Sequence, residues 1–249
     1  MGNIKIDNLS FSYGTHNVLT GVNFHLFSGK SLSIIGHGGC GKTTLLKILN
    51  GDLKYEGTLE IEGTISVVFR DTKFKNKRVI DEIKYYFDEF AKSYSDIEEF
   101  KEEIKLYFGM DKIFEKDINS LDKKDKSLLR IVLGSIANDD YIAIDDLFID
   151  LDYKTKILLL NFLESHDITL INVTSDMEDV LYTDCLLCLY NGKSAIDGET
   201  LSVLENEKII KRLGFNLPLM YDLSIQLGLY GLIDKIYLNK EEMVKNLWK

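Results

Sequence analysis

Apolar and polar residues alternate at Ile4 and Ile6 and again through Val22, Phe24 and Leu26, up to a Ser28-Gly29 turn. A period of two predicts strands with one buried face, so the chain opens on antiparallel strands. The pattern then becomes continuous. Leu32 to Ile35 is uninterrupted apolar sequence, a glycine-rich stretch follows, and Leu45 to Leu49 reads as a helix closed by Asn50-Gly51. Two short strands, Gly57 to Ile61 and Thr64 to Phe69, are separated by only a few residues. From Val79 the period lengthens: Ile80, Ile83, Tyr86, Phe87 and Phe90 share one helical face, and a second, acidic helix runs from Ile97 to Phe108 and stops at Gly109. The Asp96 to Glu103 charge run reads as that helix's solvated face. A further helix spans about Lys123 to Ala137, followed by strand Tyr141 to Asp145, helix Tyr153 to Leu163 and strand Thr169 to Val173. Strand, helix, strand in that succession implies a parallel sheet with crossover helices. Cys185 to Tyr190 and Lys193 to Ile196 form a hairpin about Asn191-Gly192.

Composition narrows the setting. A chain of 249 residues can bury one main core with an appended lobe. No apolar run approaches the roughly 20 residues that span a bilayer, and Met1-Gly2-Asn3 leads straight into strand-like sequence without a secretory signal, so a cytosolic chain is expected. A net charge of −10 argues against nonspecific binding to nucleic acid, whose backbone needs clustered Lys and Arg. Three cysteines make no disulfide framework, and Cys185-x-x-Cys188 lies in a strand-like run, where buried thiols are the better reading than metal or redox chemistry.

The chemistry concentrates in Gly36-His37-Gly38-Gly39-Cys40-Gly41-Lys42-Thr43-Thr44, between a buried strand and a helix. This is P-loop spacing: glycines let consecutive backbone N–H groups converge on phosphate oxygens with no Cβ in the way. Lys42 is expected to reach the outer phosphates, Thr43 to offer its hydroxyl to Mg²⁺, and the helix N-terminus to face the anion. Cys40 sits inside this stretch, so thiol alkylation is expected to block nucleotide binding and nucleotide to protect. Tyr13, ahead of the P-loop, is a candidate to stack on an adenine ring or else a packing residue. Asp145 ends an apolar strand where P-loop enzymes place the acid that holds Mg²⁺ through water; the alternative is a helix cap or turn former.

Together these residues resemble the nucleotide-binding domain of ABC transporters, and more narrowly the ATPase subunits of energy-coupling factor (ECF) importers. Phe11-Ser12-Tyr13 looks like the adenine-stacking loop, and the Gly36 to Thr44 stretch, with His37, looks like that family's Walker A. Asp197-Gly198-Glu199-Thr200, Leu213 to Pro218 and Glu241 to Trp248 resemble the C-terminal helices of ECF ATPases. The resemblance implies an α/β P-loop NTPase of the ABC ATPase type, with a mixed sheet core, an antiparallel N-terminal β-subdomain and a helical subdomain at about 71–135. The nucleotide-binding domain would fill residues 1–212, and 213–249 would be a helical extension used in dimerisation. It implies ATP and Mg²⁺ as cofactors, held by the residues named above. It also implies a second ABC ATPase subunit in a homodimer or, better, a heterodimer, together with an integral membrane scaffold, a substrate-binding subunit and a place on the cytoplasmic side of the membrane.

Carried over residue by residue, the resemblance also marks departures. The catalytic glutamate falls on Asp146, the glutamine that senses Mg²⁺ and water on Arg70, and the switch histidine on Ser175. The signature Leu-Ser-Gly-Gly-Gln falls on Leu121-Asp122-Lys123-Lys124-Asp125, where Asp122 would face the partner's γ-phosphate or cap the following helix. Asp152 matches the acid of the D-loop, whereas Leu147 stands for the usual proline. The implied function is an ATP-binding importer subunit, for a vitamin, metal ion or other small nutrient, whose own site hydrolyses weakly. The alternative is a non-transport nucleotide-binding regulator on the same fold; a DNA-repair or translation ATPase would carry a coiled coil or a second P-loop domain.

Overall fold

The computed structural model describes residues 2–90, 96–137, 139–238 and 240–247. Trp248, cited above in the tail motif, lies outside them. Strands β1 (Ile4–Tyr13) and β2 (His16–Leu26) form a long antiparallel hairpin, closed by left-handed Gly14. With β3 (Leu32–Ile35), helix α1 (Lys42–Leu49) and β4 (Glu56–Ile61) in place, two sheets emerge. The smaller has the order β2-β1-β4 and is antiparallel throughout.

The larger sheet adds β5 (Ile65–Val68), β6 (Tyr141–Asp145), β7 (Thr169–Thr174), β8 (Cys185–Tyr190) and β9 (Lys193–Glu199) in the order β5-β6-β7-β3-β8-β9. All its pairings are parallel except β8 with β9. Strand β3 sits between β7 and β8 and is buried on both faces, which is why it reads as an unbroken apolar run.

The pleat separates the packing into two sides. Ile34, Ala143, Ile171, Val173 and Leu187 face α1 and the smaller sheet, where Leu9, Leu26, Leu45 and Leu46 close the core. On the other side Ile142, Ile144 and Leu170 pack beneath a helical lobe. That lobe holds α2 (Val79–Phe90), α3 (Ile97–Phe108), α4 (Lys123–Ser135) and, against the sheet, α5 (Tyr153–Ser165). Asp96 caps α3 by accepting from the Glu99 N–H, and left-handed Gly109 ends it.

Short helices α6 (Thr200–Leu204) and α7 (Glu207–Arg212) lead to α8 (Leu219–Leu229) and α9 (Lys240–Leu247). A separate core joins Ile35, Leu186 and Cys188 to Leu213, Phe215, Leu217 and Tyr221, so this segment is seated on the strand that enters the P-loop. Leu219, Leu223, Leu229 and Tyr230 remain exposed. Among the described residues no helix is long and apolar enough to cross a membrane.

Candidate functional site

The loop from Gly36 to Gly41 joins β3 to α1, and its glycines do different jobs. A Cβ on Gly36 would press on Cys40 Sγ and come within 2.7 Å of the Leu189 carbonyl; one on Gly41, at φ 107°, would lie 2.5 Å from Leu19 Cδ2. Those two permit close approach of the backbone. Gly38 and Gly39 face open space instead, with no atom within 4 Å of a Cβ built there, and this leaves room for a ligand against the backbone. The first turn of α1 has no side-chain cap, so its N–H groups point into the same space.

Lys42 is only 7% exposed. Its ammonium folds back to donate to the Gly36 carbonyl and, at 3.4 Å, to that of His37. A buried cation with carbonyl dipoles around it and no carboxylate paired to it among the described residues is a cradle that fits an anion. Cys40 is placed differently from the sequence expectation. Its side chain packs inward with the core of β2 and α1 and is 7% exposed, so alkylation requires the loop to open first.

Beside the cradle, Thr43 Oγ1 donates to Asp145 Oδ2 at 3.0 Å. Burial at the end of β6, reinforced by the charge of Asp146, pushes the Asp145 carboxyl above the ordinary aspartate range, against the pull of Thr43 and Lys42. One hydroxyl and one carboxylate suit Mg²⁺, which keeps waters and takes its remaining ligands from phosphates. Among the described residues no three His, Cys, Asp or Glu cluster as an all-protein metal cage.

Asp146 adopts a left-handed φ of 51° just past β6. Its carboxylate accepts from the Ser175 N–H at 3.0 Å, and its carbonyl accepts from the Arg70 guanidinium. Arg70 also grips the Asp150 carboxylate with bonds of 2.9 and 3.0 Å, while Ser127 on α4 donates to the same carboxylate at 2.7 Å. The structure thus brings Arg70, Asp146 and Ser175 together and ties them to one another. Asp150, which holds Arg70, and Ser127, which donates to Asp150, carried no signal in the sequence beyond the need of a basic side chain for an acid.

Of the signature stretch, Asp122 caps α4 by accepting from the Asp125 N–H at 2.8 Å. Lys124 pairs with Asp152 at 2.6 Å. That ammonium, with the Thr155 N–H, holds the Asp152 carboxyl down at about 2. Tyr13, at the end of β1, is 48% exposed and meets Phe11 edge-on at 4.8 Å. The His37 ring turns away from the cradle to the C-terminal segment, where its Nε2 bonds the Leu213 carbonyl at 2.7 Å.

On the helical lobe, a groove of about 520 Å³ opens between α2, α4 and β5. Its walls include Val68, Phe74, Tyr86, Phe90, Arg130 and Leu133, and the Arg130 guanidinium lies 4.5 Å above the Phe74 ring.

Comparison with known proteins agrees with this geometry. The family model described as ABC transporter matches residues 19–146, just over half of the chain. The energy-coupling factor transporter ATP-binding protein EcfA of Malacoplasma penetrans is 25% identical over 98% of this chain and 93% of its own length. The energy-coupling factor transporter ATP-binding protein EcfA1 of Streptococcus agalactiae is 26% identical over 99% and 97%. The solved structure of cbiO1 from Clostridium perfringens, part of the ABC transporter complex cbiONQ, superposes with a TM-score of 0.72 at 20% identity, covering 92% of this chain and 98% of that one.

Proposed function

Because the chain belongs to the ABC transporter family, whose ATPases couple ATP hydrolysis to transport, we propose that it is the ATP-binding subunit of an ECF-type importer. It energises uptake of a vitamin, metal ion or other small nutrient through ATP-driven closure of an ATPase dimer. The observation that carries the nucleotide reading is the buried, carbonyl-bound ammonium of Lys42 beside the Thr43 and Asp145 pair.

Bound at this cradle, ATP with Mg²⁺ supplies the transferable phosphoryl group. Lys42, now on the Gly36 carbonyl, would hold the outer phosphates, and the backbone from Gly38 to Thr44 would donate to phosphate oxygens. Thr43 and Asp145 would hold the cation, and Tyr13 would pack on the base. Hydrolysis at this site is slow. Asp146 is a methylene shorter than the family's glutamate and already accepts the Ser175 N–H, Ser175 has no imidazole, and Arg70 is bound to Asp150.

Pairing runs through the helical extension at 213–249, where Leu219, Leu223 and Leu229 are exposed, and a heterodimer lets an intact partner signature complete the Lys42 site. The groove beside Tyr86 and Phe90 receives a helix of an integral membrane scaffold on the cytoplasmic side, and a separate membrane subunit binds the nutrient.

The test is purification of the chain from its native host, followed by ATP turnover of what comes with it. Copurification with an integral membrane protein and a second ATPase supports the importer. Turnover abolished by Lys42→Ala couples this pocket to the working cycle, whereas unchanged turnover assigns hydrolysis to the partner's. The mutual engagement of Arg70, Asp146 and Ser175 favours a second reading, a nucleotide-binding regulator, and a chain that binds ATP but brings down no membrane protein would establish that one.

A further inference from the structure

The strongest feature outside the phosphate and metal positions is the hold of the C-terminal segment on the P-loop. His37 Nε2–H donates to the Leu213 carbonyl at 2.7 Å, and its ring lies parallel to Phe215, with centroids 4.4 Å apart and planes 7° from coplanar. Between these contacts Gly214 has a φ of +85°, and a Cβ there would come within 2.7 Å of His37 Nε2. Three consecutive residues thus wrap one ring, each by a different means: an acceptor, a gap and a stacking face.

Phe215 and Leu213 are anchored in the same core as Ile35, the last residue of β3. The clasp and the strand it leans on are therefore fixed to one another. Within the loop, the His37 carbonyl accepts from the Cys40 N–H at 3.2 Å and from Lys42. Holding the His37 ring fixes the residue whose carbonyl orients both.

We propose that Gly214 and Phe215 are positioning residues of the phosphate cradle: by clasping His37 they pre-organise a loop that Gly38 and Gly39 would otherwise leave free. A glycine-rich loop loses much backbone entropy when it orders around an anion, and a loop already fixed at one end loses less. Coupling of this kind is reciprocal, so nucleotide in the cradle tightens the seating of residues 213–217 to the same degree. The same core continues to Tyr221 on α8, so nucleotide binding is coupled to the apolar extension. This rests on the reading of the cradle as an ATP site.

The experiment measures the ATP dissociation constant and the thermal midpoint of the full chain carrying His37→Ala, Phe215→Leu, or both. It adds amide hydrogen exchange of residues 213–217 with and without ATP. Phe215→Leu keeps an apolar side chain in the core and removes the stacked ring. We expect it to weaken ATP binding about fivefold, with the double variant no weaker than the worse single one. ATP should slow exchange at 213–217 in the natural chain and leave it unchanged in His37→Ala, a readout that stands even where Phe215→Leu loosens the extension. Unchanged affinity in Phe215→Leu, additive losses in the double variant, or ATP protection that survives His37→Ala overturns the proposal while leaving the ATP site intact. A natural chain that binds no ATP overturns both.

Discussion

Lys42 forms no ion pair among the described residues, and this sets stability against binding at a single residue. Its ammonium is desolvated and its hydrogen bonds go to carbonyl oxygens, so Lys42→Ala should raise the thermal midpoint, by a gain of ~1 kcal/mol, while reducing ATP affinity by about 100-fold or more. Differential scanning fluorimetry and nucleotide titration of the same preparation read both signs. Lys156 and Asp179 present the opposite case. They form a buried ion pair at 2.5 Å, with the Thr174 hydroxyl donating to the second carboxylate oxygen at 3.2 Å. Burial pushes the Asp179 carboxyl up and Lys156 opposes it, so removing the cation alone strands the acid. Lys156→Met should cost ~3–5 kcal/mol in chemical denaturation, and the double change Lys156→Met, Asp179→Leu should recover most of it. The two lysines are told apart by what surrounds them in space. Lys42 was legible as a candidate phosphate ligand because its glycines and strand are local, whereas Lys156 showed nothing in sequence that pointed to Asp179, 23 positions away.

At the scale of elements, the start of α4 is pinned twice, by the Asp122 cap and by Lys124 bridging to Asp152 at the start of α5. Because Asp152 is held at about 2, below its unfolded value, its contribution is fully present above about pH 4 and fades as the pH falls toward 2. The pair is largely exposed, so Lys124→Gln should lower stability by only ~0.5 kcal/mol near pH 6, with the difference vanishing on acid titration. Arg70 joins two further segments, since it binds Asp150 and the Asp146 carbonyl just past β6 while Ser127 of α4 shares Asp150. Arg70→Gln alone should loosen the helical lobe, seen as faster hydrogen exchange in α4. Combined with Asp146→Glu and Ser175→His it should raise turnover of the complex at least about tenfold. The helices and strands themselves were readable because each carries its own period, as at β6, α5 and β7. Arg70 with Asp150 spans 80 positions and His37 with Leu213 spans 176, and no local pattern records a contact of that reach.

Over the whole molecule, the groove on the helical lobe and the exposed face of the C-terminal extension are separate surfaces, so they can be disabled independently. Tyr86→Asp places a charge in the groove; it should abolish copurification of a membrane scaffold while ATP binding by the isolated chain stays within about twofold. The sheet order explains what a linear reading could not supply. Parallel strands and crossover helices follow from alternation of patterns, yet nothing in Leu32 to Ile35 says that its neighbours will be β7 and β8 rather than strands nearer in sequence. That placement governs how the protein can be made. Synthesis delivers the P-loop early, but the strand that supports it pairs with Ile171 and Cys185, so a ribosome must release most of the chain before β3 has a home. A nascent or truncated product therefore displays an apolar strand and an unsupported glycine loop, and a translation-arrested chain ending before β8 should engage chaperones rather than ATP. The cradle is written near the beginning of the message and becomes competent only near its end.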